Sequence, residues 1–116
     1  MPRFVILEHD HPHLHWDFML EAGPVLRTWR LGAPPQGGVS LRVERSFAHR
    51  LAYLDYEGPV SGGRGTVTRW EAGTFTWVSD QEDEVVVDLS GSRVHGRFHL
   101  RFPEDGPGQG VLELTV

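Results

Sequence analysis

The chain has no cysteine, no lysine and no long apolar run. Without cysteine there are no disulfides and no thiolate ligands, so any metal site must be built from His, Asp and Glu. A membrane span needs about 18 consecutive apolar residues, and nothing here approaches that. The N-terminal MPRFVILEHD also lacks the long apolar region of a secretory signal. These absences set the expectation of a cytoplasmic protein with no membrane partner. All eleven basic residues are arginine, and the formal net charge is −5. That balance argues against a protein that coats nucleic acid through a broad basic face, but not against an enzyme that grips one end. Helical periodicity is equally scarce: only Glu44 to Leu51 reads as a turn or two.

What the sequence does contain is strand. Short β-branched or aromatic runs occur at Phe4–Leu7, Leu14–Leu20, Val25–Leu31, Leu41–Val43, Ala52–Tyr56, Gly65–Trp70, Thr74–Val78, Glu84–Leu89, Arg97–Phe102 and Val111–Val116. Between them lie turn and loop segments such as Ala22-Gly23-Pro24 and Gly32–Gly38, where proline and glycine exclude helix and central strand. The 116 residues suit one domain, 1–116. Closely spaced strands with glycine-rich connections predict an all-β fold, a single closed or nearly closed antiparallel β-barrel with short helical turns; a two-sheet sandwich is the alternative. Pro103–Gly110 reads as a long hairpin connection.

One segment carries chemistry. From Leu14 to Leu20 the even positions are Leu14, Trp16, Phe18 and Leu20, whereas the odd ones from His13 to Glu21 are His, His, Asp, Met and Glu. Strand side chains alternate between faces, so one face is apolar and the other groups His15 with Asp17, about 6–7 Å apart along the strand. His9 lies before the bend at Pro12, which can fold it back toward that pair. Two imidazoles and a carboxylate leave coordination positions open, as a catalytic metal site requires. Polar decoration of an exposed strand is the competing reading. Of the four tryptophans, Trp16 falls on the apolar face and is expected in the core rather than at a base-stacking surface. His95, His99 and the acidic run Asp80–Glu84 are read as solvated.

The segments Phe4–Asp10 and His15-Trp16-Asp17-Phe18-Met19-Leu20-Glu21 resemble the 3′-phosphoesterase domain of bacterial DNA ligase D and its free-standing homologues. The resemblance continues through Val25–Trp29, through His49-Arg50-Leu51-Ala52-Tyr53-Leu54-Asp55-Tyr56-Glu57-Gly58, and through Gly65–Trp70 and Gly73–Phe75, in order over nearly the whole chain. It implies a β-barrel enzyme that uses a divalent metal, manganese above all, on 3′ ends of DNA or RNA-tailed primers before sealing. A separate DNA ligase and polymerase are the implied partners. By the same resemblance His9, His15 and Asp17 would be the metal ligands, with His49 and Tyr53 at the scissile phosphate.

Two departures stand out. Met19 occupies a position where the family carries arginine, and His13 another, both on the phosphate-binding surface. The chain starts at the first strand, so the upstream arm of the ligase-linked enzymes is expected to be absent. Candidates to restore the phosphate grip are Arg42, Arg45 and Arg64, together with His13 when protonated. The leading expectation is a metal-dependent phosphoesterase of nucleic-acid 3′ ends. The alternatives are a non-catalytic DNA-end-binding or ligase-associated module, and a phosphoesterase of small phosphorylated molecules.

Overall fold

The computed structural model describes residues 1–103 and 108–115. Strands β1 (Arg3–His9), β2 (His15–Ala22), β3 (Val25–Leu31) and β4 (Ser40–Arg45) follow one another as antiparallel neighbours. Then β10 (Gln109–Thr115), β9 (His95–Arg101), β8 (Glu84–Gly91) and β7 (Thr66–Gln81) continue the sheet in reverse chain order. Pairing of β7 with β1 closes it, giving an eight-stranded antiparallel barrel without a free edge in the cycle. The only helical piece among the described residues is a 3-10 turn, Leu51–Leu54. The barrel expected from strand spacing is what forms, and the sandwich alternative falls.

Alternation explains the interior. Phe4 and Ile6 of β1, Phe18 and Leu20 of β2, and Trp29 and Leu31 of β3 enter one buried cluster with Phe75, Val87, Phe98 and Leu112. Such a close-packed interior leaves no room for a substrate. The opposite face of β1–β3 is also apolar in part: Val5, Leu7, Met19, Leu26 and Val67 form a second buried cluster outside the barrel. Residues 46–65 cover it, contributing Leu54 with Leu51, Tyr53 and Val60. Within this clasp, β5 (His49–Arg50) pairs β3 and β6 (Gly58–Pro59) pairs β7. Arg3 and Asp55 bind it to the start of β1 at 2.6 Å, and Glu57 accepts the Arg69 backbone N–H at 2.7 Å.

Several local expectations need correction. β2 begins at His15, because the β1 pairing ends with His9 opposite His15; Leu14 has no partner and is 55% exposed. Ala52–Tyr56 is not a strand: Leu51 and Leu54, three apart, put their apolar side chains on one side of a single 3-10 turn. The helical turn is therefore later than Glu44–Leu51, of which Glu44, Arg45, His49 and Arg50 pair with β3. Gly65–Trp70 and Thr74–Val78 join into one 16-residue strand, β7. Gln109 and Gly110 already belong to β10, whereas residues 104–107 of the expected Pro103–Gly110 connection, and Val116, lie outside the described residues.

Candidate metal centre

The register of β1 against β2 builds the cluster. His9 pairs with His15 and Leu7 with Asp17, so His9, His15 and Asp17 all leave the outer face at one end of the hairpin. Their ligand atoms lie within 4.8 Å of one another. Asp17 Oδ2 is 3.2 Å from His15 Nε2 and 3.5 Å from His9 Nδ1. His15 and Asp17 are 4% and 3% exposed, so a carboxylate and an imidazole have been taken out of water together. Burying that pair is costly unless charges are matched and hydrogen bonds complete.

Each imidazole is aimed by its other nitrogen. His15 Nδ1–H donates to the His13 carbonyl at 2.8 Å, which leaves the Nε2 lone pair toward Asp17. His9 Nε2–H donates to the Arg64 carbonyl at 2.8 Å, which leaves Nδ1 toward the same point. Carbonyl acceptors thus fix both tautomers, as in metal sites whose histidines are oriented from behind. Burial alone would push the His15 imidazolium down. In the imidazolium Nε2 also carries a proton, and its hydrogen bond to Asp17, the His13 carbonyl and the Asp17 charge outweigh burial and hold the pKa above the ordinary value. Two lone pairs and a carboxylate oxygen converging in this way fit a divalent ion with open positions.

Beside the cluster is a cavity of about 490 Å³ under the clasp, lined by His9, Asp17, Met19, Arg30, His49 and Tyr53, with Arg64 and Phe47 at its wall. His49 arrives by a register shift. Arg45 pairs with Trp29 and therefore has the interior parity of Val43, but His49 pairs with Leu26 on the outer face. The chain accommodates one extra residue between β4 and β5, and that bulge turns His49 outward. Its Nδ1–H lies 3.0 Å from the Phe47 carbonyl and 2.9 Å from the Thr28 hydroxyl oxygen, so Nε2 is left as an acceptor. Burial pushes the His49 pKa below the ordinary histidine value, with Asp17 and the Phe47 carbonyl opposing. The Phe47 ring stacks on it at 4.6 Å between centroids, and Tyr53 meets it edge-on at 5.6 Å.

The other expected phosphate contacts are placed differently. Arg64 reaches the cavity wall, although its side chain bonds Ser61. His13 is exposed and contributes its carbonyl, not its ring, to the cluster. Arg42 is exposed on β4, facing Val111 of β10 in register and away from the cavity lining. Arg45 lies over the Phe102 ring at 4.0 Å and bonds the Glu82 carbonyl, because its interior parity directs it to the barrel end. Conversely, Arg30 lines the cavity although nothing in the sequence pattern drew attention to it. Its signal was parity: flanked by Trp29 and Leu31, it must take the outer face. Away from this face, Trp29 is core, Trp16 and Trp70 pack partly against it, and Trp77 is 37% exposed. His99 bonds Glu84 at 2.7 Å and Asp80 pairs with Arg27. No further cluster of metal-ligand type is found among the described residues.

Comparison with known sequences matches residues 7–101 to the DNA ligase D 3′-phosphoesterase domain. The chain belongs to that family. The 3′-phosphoesterase match contains every residue of the cluster and of the cavity wall named above. Curated relatives carry the domain within much longer proteins. The chain is 34% identical over 106 residues to the multifunctional non-homologous end joining DNA repair protein LigD of Mycobacterium tuberculosis, covering 84% of this chain and 14% of that relative. It is 30% identical over 108 residues to the multifunctional non-homologous end joining protein LigD of Pseudomonas aeruginosa, covering 84% and 13%. The chain therefore spans about one seventh of the length of these relatives. As a 3′-phosphoesterase family member it keeps a His/His/Asp set able to coordinate a divalent metal. None of its described helical segments is long and apolar enough to cross a membrane.

Proposed function

We propose that the protein is a metal-dependent phosphoesterase that removes a 3′-phosphate or a 3′-terminal ribonucleotide from DNA or RNA-tailed primer ends during end repair. The observation that carries this reading is the meeting of the His9–His15–Asp17 cluster and His49 at one cavity, inside a chain of the ligase D 3′-phosphoesterase family. Manganese is the preferred ion in this reading, held by His9 Nδ1, His15 Nε2 and Asp17. When bound, a divalent ion supplies Lewis acidity toward a phosphoryl oxygen.

The chain's own groups do the rest. His49 is kept neutral at neutral pH by its depressed pKa and presents Nε2 as acceptor, so it takes the proton of the water that attacks phosphorus. As imidazolium it returns that proton to the departing oxygen, and the neutral form is restored. Tyr53, on the 3-10 turn, presents a phenol at the cavity wall to orient the phosphate. Arg64 lends positive charge at the wall from the turn before β7. A separate ligase and polymerase supply the sealing and filling steps.

The test is cleavage of a labelled primer–template bearing a 3′-phosphate or a single 3′-ribonucleotide, with manganese, for wild type, His15→Ala and His49→Ala. The expected result is manganese-dependent processing by wild type and a loss of about 100-fold or more in each variant. Met19, buried among Val5, Leu7 and Leu26 where the family resemblance calls for arginine, favours a second reading as a non-catalytic end-binding module. Binding of the primer–template and of manganese without any turnover would replace the enzyme with that module.

A further inference from the structure

Among the described residues, Arg30 is the one arginine that lines the cavity from a strand of the barrel itself. It stands in β3 directly across from Asp17 of β2. Trp29 and Leu31 point into the interior, so Arg30 leaves on the outer face, among Asp17, Met19 and His49. Its Nε is sealed from solvent and has no hydrogen-bond partner. Neither carboxylate beside it in register claims it. Asp17 is turned toward two imidazoles, and Glu44 of β4 makes no ion pair with it. By contrast Arg3, Arg27 and Arg97 each hold a carboxylate. A buried donor without an acceptor is costly, and beside a cavity its partner is supplied by an ordered water, an ion or a ligand atom.

We propose that Arg30 is the phosphate clamp of this cavity, in the part that the family resemblance assigns to an arginine at the position of Met19. The register supports the exchange: Met19 pairs with Thr28, so Arg30 is its diagonal neighbour on the adjacent strand. Diagonal neighbours across a sheet are about 7–8 Å apart, within the span of an arginine stem. The planar guanidinium offers a fork of donors to two oxygens of one phosphate, whereas a lysine offers a point charge. This assignment rests on the phosphoesterase reading of the site and adds the residue that recognises the phosphate.

The experiment is a titration of the metal-free protein with inorganic phosphate, followed through the arginine Nε–H signals by NMR, with Arg30→Lys and Arg30→Gln alongside. Saturable displacement of the Arg30 signal is expected, with phosphate affinity reduced about tenfold in Arg30→Lys and further in Arg30→Gln. Manganese titration and a melting curve on each variant report folding and an intact cluster. An unmoved Arg30 signal, or unchanged phosphate affinity in a folded Arg30→Gln protein, overturns the assignment. Wild-type processing of a 3′-phosphate primer is scored separately. Arg30-dependent phosphate binding with no processing sinks the end-repair reading alone, and processing that survives in Arg30→Gln sinks the clamp alone.

Discussion

At the scale of the residue, the centre depends on what stands behind each imidazole. His49 is covered on one side by Phe47, which is itself 69% exposed. Removing that ring lets water reach the imidazole and relieves the burial that depresses its pKa. Phe47→Ala is therefore expected to raise the His49 pKa toward the ordinary value near 6.5, measured by NMR titration of the ring protons. A pKa that stays put would mean that neighbouring charge, not burial, sets it. His15 and Asp17 were legible in the sequence because period-two alternation puts them on one face whatever strand lies beside them. His9 could be placed only loosely, by the bend at Pro12, since its exact position depends on the pairing of β1 with β2. Arg30 was missed because its parity can be read from Trp29 and Leu31, but its neighbour Asp17 cannot be known until β3 is laid against β2.

Among the elements, the turn before β7 governs the first ligand. Gly65 has φ +75°, and a Cβ there would stand 2.2 Å from Asp10 Oδ1 and 2.6 Å from the His11 Cβ. Asp10 uses that oxygen to accept the Thr66 N–H at 2.7 Å, while Arg64, one residue earlier, provides the carbonyl that orients His9. Gly65→Ala is expected to push the turn off β1 and weaken manganese binding by about 10-fold, the scale seen when an outer partner of a metal ligand is lost. Isothermal titration would show it, and unaltered affinity would mean that His9 is held without Arg64. The bulge between β4 and β5 has the same character. Its effect, turning His49 outward, follows from a one-residue shift that no propensity in Ser46-Phe47-Ala48 announces.

The β8–β9 hairpin has its own anchor. Glu71 is 2% exposed and accepts N–H groups of Ala72, Ser92, Arg93 and Val94. Burial would push its carboxyl up, but those donors outweigh it and hold the pKa below the ordinary value near 4.5. A folded pKa below the unfolded one stabilises the fold fully above the ordinary value, and that contribution is lost as pH falls through the folded pKa. Denaturant unfolding of wild type should thus weaken as pH drops below about 4.5, and Glu71→Gln should be less stable at pH 7 with a flatter acid limb. Equal slopes for the two proteins would assign the acid sensitivity to other carboxylates.

The whole molecule is two apolar clusters back to back across one sheet wall. The interior cluster was readable in part from the strands, because their number and spacing call for closure and the alternation of β2 names Phe18 and Leu20. The outer cluster was not, since Met19 and Leu26 carry no mark of a second covering until residues 46–65 are folded over them. Phe98 is fully buried inside the barrel, against Phe18 at 4.9 Å. Phe98→Ala is expected to cost about 3–5 kcal/mol of unfolding free energy. Manganese affinity of the remaining folded protein should not change, because the mutated ring and the ligands lie on opposite sides of the wall. A parallel loss of affinity would show that the wall transmits strain.

Closure of the β1–β7 seam has a consequence for how such a chain can diverge. Residues that keep the shape and residues that choose the ligand occupy different sides of one sheet, so substitutions accumulate in two nearly separate ledgers of constraint. An arginine deleted from one strand can then reappear on its neighbour, facing the same volume, while the interior registers no change at all.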